Sequence, residues 1–441
     1  MNMALKRVKT EAETALERHF AARAETGEPD WLAARRRQAF ERLAAAGLPN
    51  RRVEAWRFTD LRRHMGAAFP PAGRAAAEAV SKIPGDNPFG ALEAARIVLV
   101  NGFPRFDLSD LDRLPEGITV RSLDEAVRGK DGKLEEMLGR ALGDDGGTIA
   151  ALNGAFAEDG VVIRIAEETR IETPVHLMFV NDAREPVSSH TRNLILVGAG
   201  ARVSLIESHV GSGGYQASAL SEMLIGEGAE VDHVKLQDQS PAATHLDLMA
   251  VRLGASSALR TFTLAKGAAL ARSELRVTFD GPRGTLDASG ALLARGTQHL
   301  DATLFVDHAV PECTSRQLYK SVLDGAARGV FQGRILVRPH AQKTDGRQSS
   351  RALLLSERAE MDSKPELEIF ADDVQCAHGS TTGRLDEEPL FYLRARGIPR
   401  KEAEALLVIA FIAEALEQVR SDEVRAVLQE ISEQWLAGRE A

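Results

Sequence analysis

The sequence predicts a mainly β protein, in which a solenoid of stacked β-coils lies between helical N-terminal and C-terminal subdomains. Three observations support this prediction. From about residue 150 onward, short strand-like runs recur without any helical pattern between them. Single glycines follow many of these runs, where a chain turns a corner. Helical periodicity is concentrated toward the two ends of the chain.

Residues 1–90 predict a helical region followed by a linker. One helical face consists of Leu5, Val8, Ala12, Ala15 and His19, and a second consists of Ala33, Phe40, Leu43 and Ala44. The mixture of aromatic and charged residues in 51–61 is typical of an element packed at the edge of a domain. The stretch from Gly66 to Asn87 is rich in Ala, Gly and Pro, which indicates a linker. Residues 91–150 are predicted to form a mixed connecting region.

Residues 151–384 are predicted to form the β core. The strand-like runs fall at 203–205, 234–236, 246–248, 259–264, 275–279, 300–306, 318–323 and 330–337. A sandwich or a barrel would also use such runs. The large number of strands over roughly 200 residues, with glycines at the corners, favours stacked coils. The segment from Arg338 to Ser350 is expected to be an irregular loop that interrupts them.

Residues 385–441 predict a helical C-terminal region. Pro399 suits the first turn of a helix, and the segment from Ala403 to Leu416 is apolar almost all round. Ser421 is predicted to cap a last helix, whose apolar stripe is formed by Val424, Val427, Leu428, Ile431 and Trp435. A helical pair of this size cannot bury both of its faces by itself. The stripe therefore packs either on the core or on a partner.

Composition and charge exclude several classes of protein. The chain has 441 residues, a formal charge of -9 and a sequence pI near 5.8, which argues against a general nucleic-acid binder. Only two cysteines are present, Cys313 and Cys376, so a disulfide framework is excluded and a reducing compartment is expected. No run approaches the roughly 18 apolar residues of a membrane span. The expected location is the cytoplasm.

Nucleotide and hydrolase motifs are missing from the sequence. Gly129-Lys130 and Gly132-Lys133 lack the Ser or Thr and the upstream glycine of a phosphate-binding loop. The chain also lacks a Gly-x-Ser-x-Gly elbow, a His-Glu-x-x-His helix and a Cys-x-x-Cys pair. We therefore expect no nucleotide hydrolysis by the isolated chain.

A thiol and an imidazole lie two residues apart in the segment from Phe370 to Leu385. If this segment is extended, Cys376 and His378 share one face with Asp372 and Val374. Sulfur and imidazole are donors that suit iron or zinc, but two ligands do not close a metal site. Taken alone, the pair is also compatible with a small buried cysteine beside a hydrogen-bonded histidine.

A second cluster of ionisable side chains lies near Cys313. It consists of His299, Asp301, Asp307 and His308, which the spacing makes neighbours in one run. The simplest interpretation is a set of polar residues on an exposed sheet face.

Three sets of residues resemble the SufB/SufD family of iron–sulfur cluster assembly subunits. The first set comprises Leu48, Pro49, Arg52, Glu54, Trp56, Phe58 and Thr59, and the second is 151–156 with Asp159-Gly160. The third comprises 372–383 and 390–398. The Cys-x-His-Gly before Thr381-Thr382-Gly383 is similar to the SufD members rather than to the SufB members. The resemblance covers nearly the whole chain.

The resemblance implies a right-handed parallel β-helix and a non-catalytic scaffold role in a SufBCD complex. It implies a heterodimer with SufB through the β-helix cores, and a possible homodimer when the chain is isolated. His378, with its neighbour Cys376, is implicated in cluster formation at that interface. Iron or a cluster would be held there only transiently, and nothing would be tightly bound in the isolated chain. The SufC ATPase would bind the C-terminal helices, at Leu390, Phe391, Tyr392, Arg396, Gly397 and Ile398.

Two alternatives remain open at the level of sequence. One is a purely structural β-helix in which Cys376 and His378 are inert. The other is a carbohydrate-active β-helix enzyme, with Asp301 and Asp307 as acid and base. The low aromatic content of 5% argues against an aromatic sugar-binding platform.

Overall fold

The fold is a parallel β-helix with helices packed on its outer faces, which confirms the predicted class. The structure is a computed structural model that describes residues 8–23, 27–80, 87–129, 132–143, 146–171 and 173–438. Two sheets, of ten and nine strands, form the walls of the β-helix. Nearly all of the pairings within each sheet are parallel. The strands of the core alternate along the chain between the two sheets, as expected of stacked coils.

The strands are numbered in chain order. The first seven are β1 Ala95–Val100, β2 Phe103–Pro104, β3 Ile118–Ser122, β4 Val161–Ile165, β5 Val175–Asp182, β6 Val187–Val197 and β7 Arg202–Ser212. The next six are β8 Tyr215–Ile225, β9 Glu230–Asp238, β10 Thr244–Leu253, β11 Ala258–Ala265, β12 Leu270–Phe279 and β13 Thr285–Ala294. The last six are β14 His299–His308, β15 Thr314–Leu323, β16 Arg328–Val337, β17 Asp345–Leu354, β18 Glu360–Ile369 and β19 Gln375–Gly383.

All eight predicted strand-like runs lie within strands. The prediction of an irregular loop from Arg338 to Ser350 is wrong for its second half, because β17 begins at Asp345. This strand is polar, with the sequence DGRQSSRALL, and it is held by parallel pairing to β15 and β19. Backbone pairing therefore fixes a strand where the side chains give no apolar signal.

Side chains that point into the lumen form one continuous hydrophobic core. Leu259 of β11 is in register with Val231 of β9 and with Leu286 of β13, and all three are buried in this core. The corners are tight, and Gly296 and Gly325 take left-handed conformations with φ of 63° and 68°. Stacked aliphatic residues and tight corners thus set the coil repeat.

The two ends of the β-helix differ. At the first end, the short strand β2 pairs antiparallel with β1, and β3 pairs antiparallel with β4. At the other end the sheets finish with β18 and β19. The residues of β18 are at most half-buried, and most of β19 is exposed. We call this second end, formed by β18, β19 and the turn between them, the open end.

Most helices of the N-terminal region pack on the outer face of the nine-stranded sheet, whereas the short helix that contains Ala77 packs on the ten-stranded sheet. Their bounds are α1 Glu11–Ala21, α2 Asp30–Ala46, α3 Leu61–His64, α4 Arg74–Glu78, α5 Leu123–Arg128, α6 Leu134–Met137 and α7 Gly147–Phe156. Buried residues of α1, α2 and α7 form one hydrophobic cluster with Leu246, Leu248 and Leu270 on the nine-stranded sheet. Trp56 belongs to the same cluster, which confirms the predicted packing of segment 51–61.

Two N-terminal expectations need correction. A capping box between Thr10 and Glu13 begins α1 at Glu11, so Val8 precedes the helix and is 83% exposed. Leu5 lies outside the described residues. The expected linker is ordered up to residue 80, because Phe69 N donates to Gln216 on β8 and Ala77 is buried. Residues 81–86 also lie outside the described part.

The C-terminal helices cover the outer face of the ten-stranded sheet. They are α8 Glu387–Ala395, α9 Arg400–Leu416 and α10 Asp422–Ala437. The Ser421 side chain accepts a hydrogen bond from Val424 N, as predicted for a cap. The predicted stripe packs on the core, with Val424, Leu428 and Trp435 buried against strand residues that include Phe262 and Val322.

Candidate functional site

The Cys–His pair lies on the last strand of the β-helix. Cys376 and His378 both belong to β19, which begins at Gln375. Residues two apart on a strand share a face, with their Cα atoms about 7 Å apart. The strand starts later than predicted, so Asp372 lies in the preceding turn. The expected alignment of Asp372 with the pair is therefore wrong, because the chain bends before the strand.

The face that carries the pair points into the lumen. His378 is in register with Gln348 of β17, and Gln348 is in register with Gln317 of β15. Gln317 lies two residues from Tyr319, which belongs to the lumen core, so the whole register column faces inward. Cys376 shares this face because it lies two residues before His378.

The thiol is half-buried at the edge of the lumen. Cys376 packs against the apolar residues Ile335, Val337 and Leu367. Burial raises the pKa of the Cys376 thiol, with a smaller contribution from the negative charge of Asp345. At neutral pH the sulfur is therefore mostly protonated, and a metal that binds it must displace the proton.

The imidazole is exposed at the mouth of the lumen, next to two buried amides. Gln348 Nε2 donates to Gln317 Oε1 over 2.6 Å. Gln348 Oε1 and Gln317 Nε2 have no partner among the described residues. The described part of the lumen beside His378 thus contains one unpaired hydrogen-bond acceptor and one unpaired hydrogen-bond donor. The sequence contained no signal for these two glutamines, because alternation does not show which face of a strand points into the lumen.

The pair is not a complete metal site. Four ligands are usual for iron and zinc at sulfur and imidazole donors. Among the residues that the structure describes, no group of three or more His, Cys, Asp or Glu is placed to hold a metal ion. Cys376 and His378 can therefore supply only part of a ligand set.

The two edge strands of the open end differ in chemistry. Strand β18 carries Pro365 and five residues that are Asp, Glu or Lys, which are features that block pairing with a further strand. Strand β19, with the sequence QCAHGSTTG, has no Asp, Glu, Lys, Arg or Pro. It therefore presents an edge that a partner strand can join. Ile369 and Phe370 are exposed beside it and add apolar surface.

The second cluster is buried, so the prediction of an exposed sheet face is wrong. The reason is that segment 57–64 folds over the outer face of β14. Thr59 Oγ1 contacts both His299 Nε2 and Asp301 Oδ2. Asp301 also pairs with Arg272 over 2.6 Å. Segment 57–64 is distant in sequence, so strand spacing alone could not reveal this cover.

The other members of the cluster have separate partners. Asp307 pairs with Arg338 over 2.6 Å, and His308 Nε2 lies 2.9 Å from Ser315 Oγ. Cys313 is buried in the lumen core. With Asp301 and Asp307 each held by an arginine, neither carboxylate is left free for acid–base work on a sugar. The geometry gives no support to the carbohydrate-active alternative.

The C-terminal candidate residues form a partly exposed surface. Leu390 is buried, whereas Phe391 and Tyr392 are 73% and 56% exposed. The Arg396 guanidinium stacks on the Tyr392 ring, 3.5 Å from its centroid. Gly397 has a φ of 84° and ends the α8 segment, which places the half-buried Ile398 before α9. We call Phe391, Tyr392 and Leu406, which is 51% exposed, the α8–α9 patch.

Comparison with known families agrees with this architecture. Residues 179–411 match the model of the SUF system FeS cluster assembly SufBD core domain, and residues 10–177 match that of the SufBD protein N-terminal region. The chain belongs to the SufBD family. It is thus an iron–sulfur cluster assembly protein, which confirms the resemblance seen in the sequence.

Relatives from three organisms cover most of the chain. A SufBD family protein of Synechocystis is 32% identical over 89% of this chain and 89% of its own length. SufD of Escherichia coli is 29% identical over 87% of this chain and 88% of its own. Protein ABCI7, chloroplastic, of Arabidopsis thaliana is 29% identical over 87% and 82%. Within the described residues, no helix is long and apolar enough to cross a bilayer.

Proposed function

We propose that this chain is a scaffold subunit of a SufBCD complex, in which it forms a heterodimer with SufB through the open end. One observation carries the proposal. The β-helix stops at an uncharged, exposed strand, β19, whose lumen face holds Cys376 and His378. An unblocked edge strand is a site for strand addition, which supplies backbone hydrogen bonds at once.

Strand addition at β19 would also change the chemistry of the lumen. A partner strand would cover the mouth beside His378 and exclude water from it. Thiolates supplied by SufB would then complete the ligand set that Cys376 and His378 begin. Iron or an iron–sulfur cluster is held there transiently as cargo, and the isolated chain binds none tightly. The same edge accounts for a homodimer when SufB is missing.

A second partner would supply ATP hydrolysis to the complex, because this chain has no phosphate-binding loop of its own. We assign SufC, the ATPase subunit, to the α8–α9 patch, because aromatic side chains this exposed are typical of an interface. The chain itself is non-catalytic in this assignment. Its place of action is the cytoplasm, together with SufB and SufC.

The test compares two single substitutions to lysine at adjacent positions of β19. Ser380 lies two residues after His378 and therefore also faces the lumen, whereas Thr381 faces outward. Both residues are exposed in the isolated chain. A lysine at Ser380 would be buried without a counter-charge once SufB closes the lumen, which is strongly unfavourable. Ser380→Lys should weaken the affinity for SufB at least about tenfold, and Thr381→Lys should change it much less.

The measurement is the dissociation constant of the purified chain for SufB, with circular dichroism to confirm folding. Equal affinity of the Ser380 variant and the wild-type chain would exclude the open end as the SufB interface. A purely structural role for β19 predicts that equality.

A further inference from the structure

A large cavity lies between the N-terminal region and the outer face of the nine-stranded sheet, on the other side of this sheet from the lumen. Its volume is about 1180 Å³. The walls come from α2, the segment 53–56, α5, the segment 136–143 and α7 on one side. Strands β6, β12, β14, β16 and β18 contribute the other side. Small-molecule sites usually measure about 300 to 1,000 Å³, so this cavity has room for a cofactor-sized ligand.

The lining carries an excess of Arg and Lys in an otherwise acidic protein, and carboxylates just outside it, such as Asp159 and Glu222, neutralise part of this excess. Twelve of the residues that line the cavity are Arg or Lys and seven are Asp or Glu, whereas the whole chain carries a formal charge of -9. Clefts lined by one sign of charge concentrate ligands of the opposite sign. Arginine in particular presents a planar fork of donors that suits phosphate oxygens. The cavity therefore favours a phosphate-bearing anion.

One arginine in the wall is buried and has an unused donor. Arg192 on β6 donates from its terminal nitrogen Nη2 to Glu222 Oε1 over 2.6 Å. Its Nε lies in the interior and has no hydrogen-bond partner among the described residues. Arg192 is only 9% exposed, so water does not readily satisfy this donor. A ligand oxygen would satisfy it only if the side chain turned toward the cavity.

Two exposed arginines reinforce this charge. Arg140 lies close to Arg192, because Glu222 accepts hydrogen bonds from the backbone N–H groups of Gly139 and Ala141. Arg42 lines the cavity from helix α2. The side chains of Arg42 and Arg140 have no ion-pair partner in the described part of the chain, so both remain available to an anion.

The wall also contains groups for an organic moiety. Asn153 on α7 belongs to the wall, and its Oδ1 has no partner among the described residues. The side chain is fully buried, so a ligand hydroxyl or amino group would reach this acceptor only if the side chain turned toward the cavity. Trp56, Leu43 and Ala39 add apolar surface to the lining. A purely inorganic anion would use neither feature.

We propose that this cavity binds a phosphorylated small molecule of nucleotide size, with its phosphate at Arg192, Arg140 and Arg42 and its organic part toward Asn153 and Trp56. The arginines of this site lie on α2, on β6 and in the segment 136–143, away from β19 and from the α8–α9 patch, and β18 contributes one wall of the cavity. The site gives the subunit a second binding function beside scaffolding.

The test is isothermal titration calorimetry of the full-length isolated chain with two probes, ADP and sodium pyrophosphate, at low ionic strength. We expect a dissociation constant below about 1 mM for ADP, and weaker binding as salt increases. Tighter binding of ADP than of pyrophosphate would identify a nucleotide-type ligand. Equal affinity for the two probes would indicate that the natural ligand of the cavity is an inorganic polyphosphate.

Three variants give the test its controls. Arg42→Gln combined with Arg140→Gln removes two exposed charges and should weaken both probes at least about tenfold. Arg192→Lys can keep the pairing with Glu222 but removes the Nε donor, and it should also weaken binding. Arg358→Gln removes an exposed charge in the turn before β18, outside the cavity, and should have no effect. Absence of binding up to about 5 mM of either probe, or unchanged affinity in the double variant, would overturn the proposal.

Discussion

At the scale of single residues, Arg272 joins the N-terminal region to the β-helix. Its guanidinium is fully buried, pairs with Glu274 over 2.9 Å and with Asp301 over 2.6 Å, and stacks on Trp56 at 4.1 Å from the ring centroid. Burial opposes its positive charge, but the two carboxylates outweigh burial and raise the pKa of Arg272. The three charges therefore stabilise one another only as a set.

Removal of this cation should be costly. In Arg272→Met, Glu274 keeps only Arg276 and Asp301 loses its cation, so we expect the free energy of unfolding to fall by about 3 to 5 kcal/mol. Urea denaturation of the two proteins measures this difference. The exposed Arg283→Met variant serves as the control and should change stability by less than about 0.5 kcal/mol. A loss below about 1 kcal/mol in the Arg272 variant would contradict this description.

The sequence could predict some residue roles and not others. Alternation in an extended segment correctly placed Cys376 and His378 on one face, because that depends only on local geometry. It could not predict that the face points into the lumen. It also failed for His299 and Asp301, because Thr59, which covers them, is about 240 residues away in the chain. Burial by distant segments leaves no local pattern.

At the scale of elements, apolar periodicity identified strands and helices but not their ends. The apolar runs of β14 and β16 were visible, yet both strands continue into polar residues because the parallel ladder continues. Strand β17 was missed, since its first lumen positions are Gly346, Gln348 and Ser350. The caps at Thr10 and Ser421 set helix starts, and only the second was predicted.

The α8–α9 patch yields a prediction at this scale. Phe391→Ala combined with Tyr392→Ala removes exposed rings, so the fold should persist while affinity for SufC falls at least about tenfold. Surface plasmon resonance with immobilised SufC measures the effect. Val8→Ala, which shortens another exposed apolar side chain, should bind as the wild-type chain does. Full SufC binding by the double variant would place the ATPase elsewhere.

At the scale of the whole molecule, many histidines are buried in neutral form. Burial lowers the pKa of His176, His190 and His299 to about 3 and that of His245 and His308 to about 4. In the unfolded chain, histidine titrates near 6.5. Between these values the unfolded state binds more protons than the folded state. The free energy of unfolding should therefore fall as the pH falls below about 6.5.

This pH dependence can be measured directly. The urea midpoint should therefore be clearly lower at pH 5 than at pH 7.5. The slope of the unfolding transition should stay the same at both values, because the surface exposed on unfolding does not change. A midpoint that does not move over this range would show that the buried imidazoles are protonated in the folded chain.

The central claim is that the open end is where SufB and this chain form a cluster. His378 is exposed in the isolated chain, so His378→Ala should leave folding and complex formation close to wild type. Loss of this ligand should sharply reduce cluster yield. Cys376→Ser should have a smaller effect if SufB supplies most of the thiolates. His340→Ala removes an exposed histidine in the turn before β17 and is the matched control.

The measurement that tests this most directly is anaerobic reconstitution of the purified three-protein complex, followed by determination of its iron and acid-labile sulfide. We expect at least about a tenfold loss of both in the His378 variant and wild-type content in the His340 variant. Wild-type iron and sulfide in the His378 variant would contradict the account, and would leave Cys376 and His378 as structural residues of the last coil.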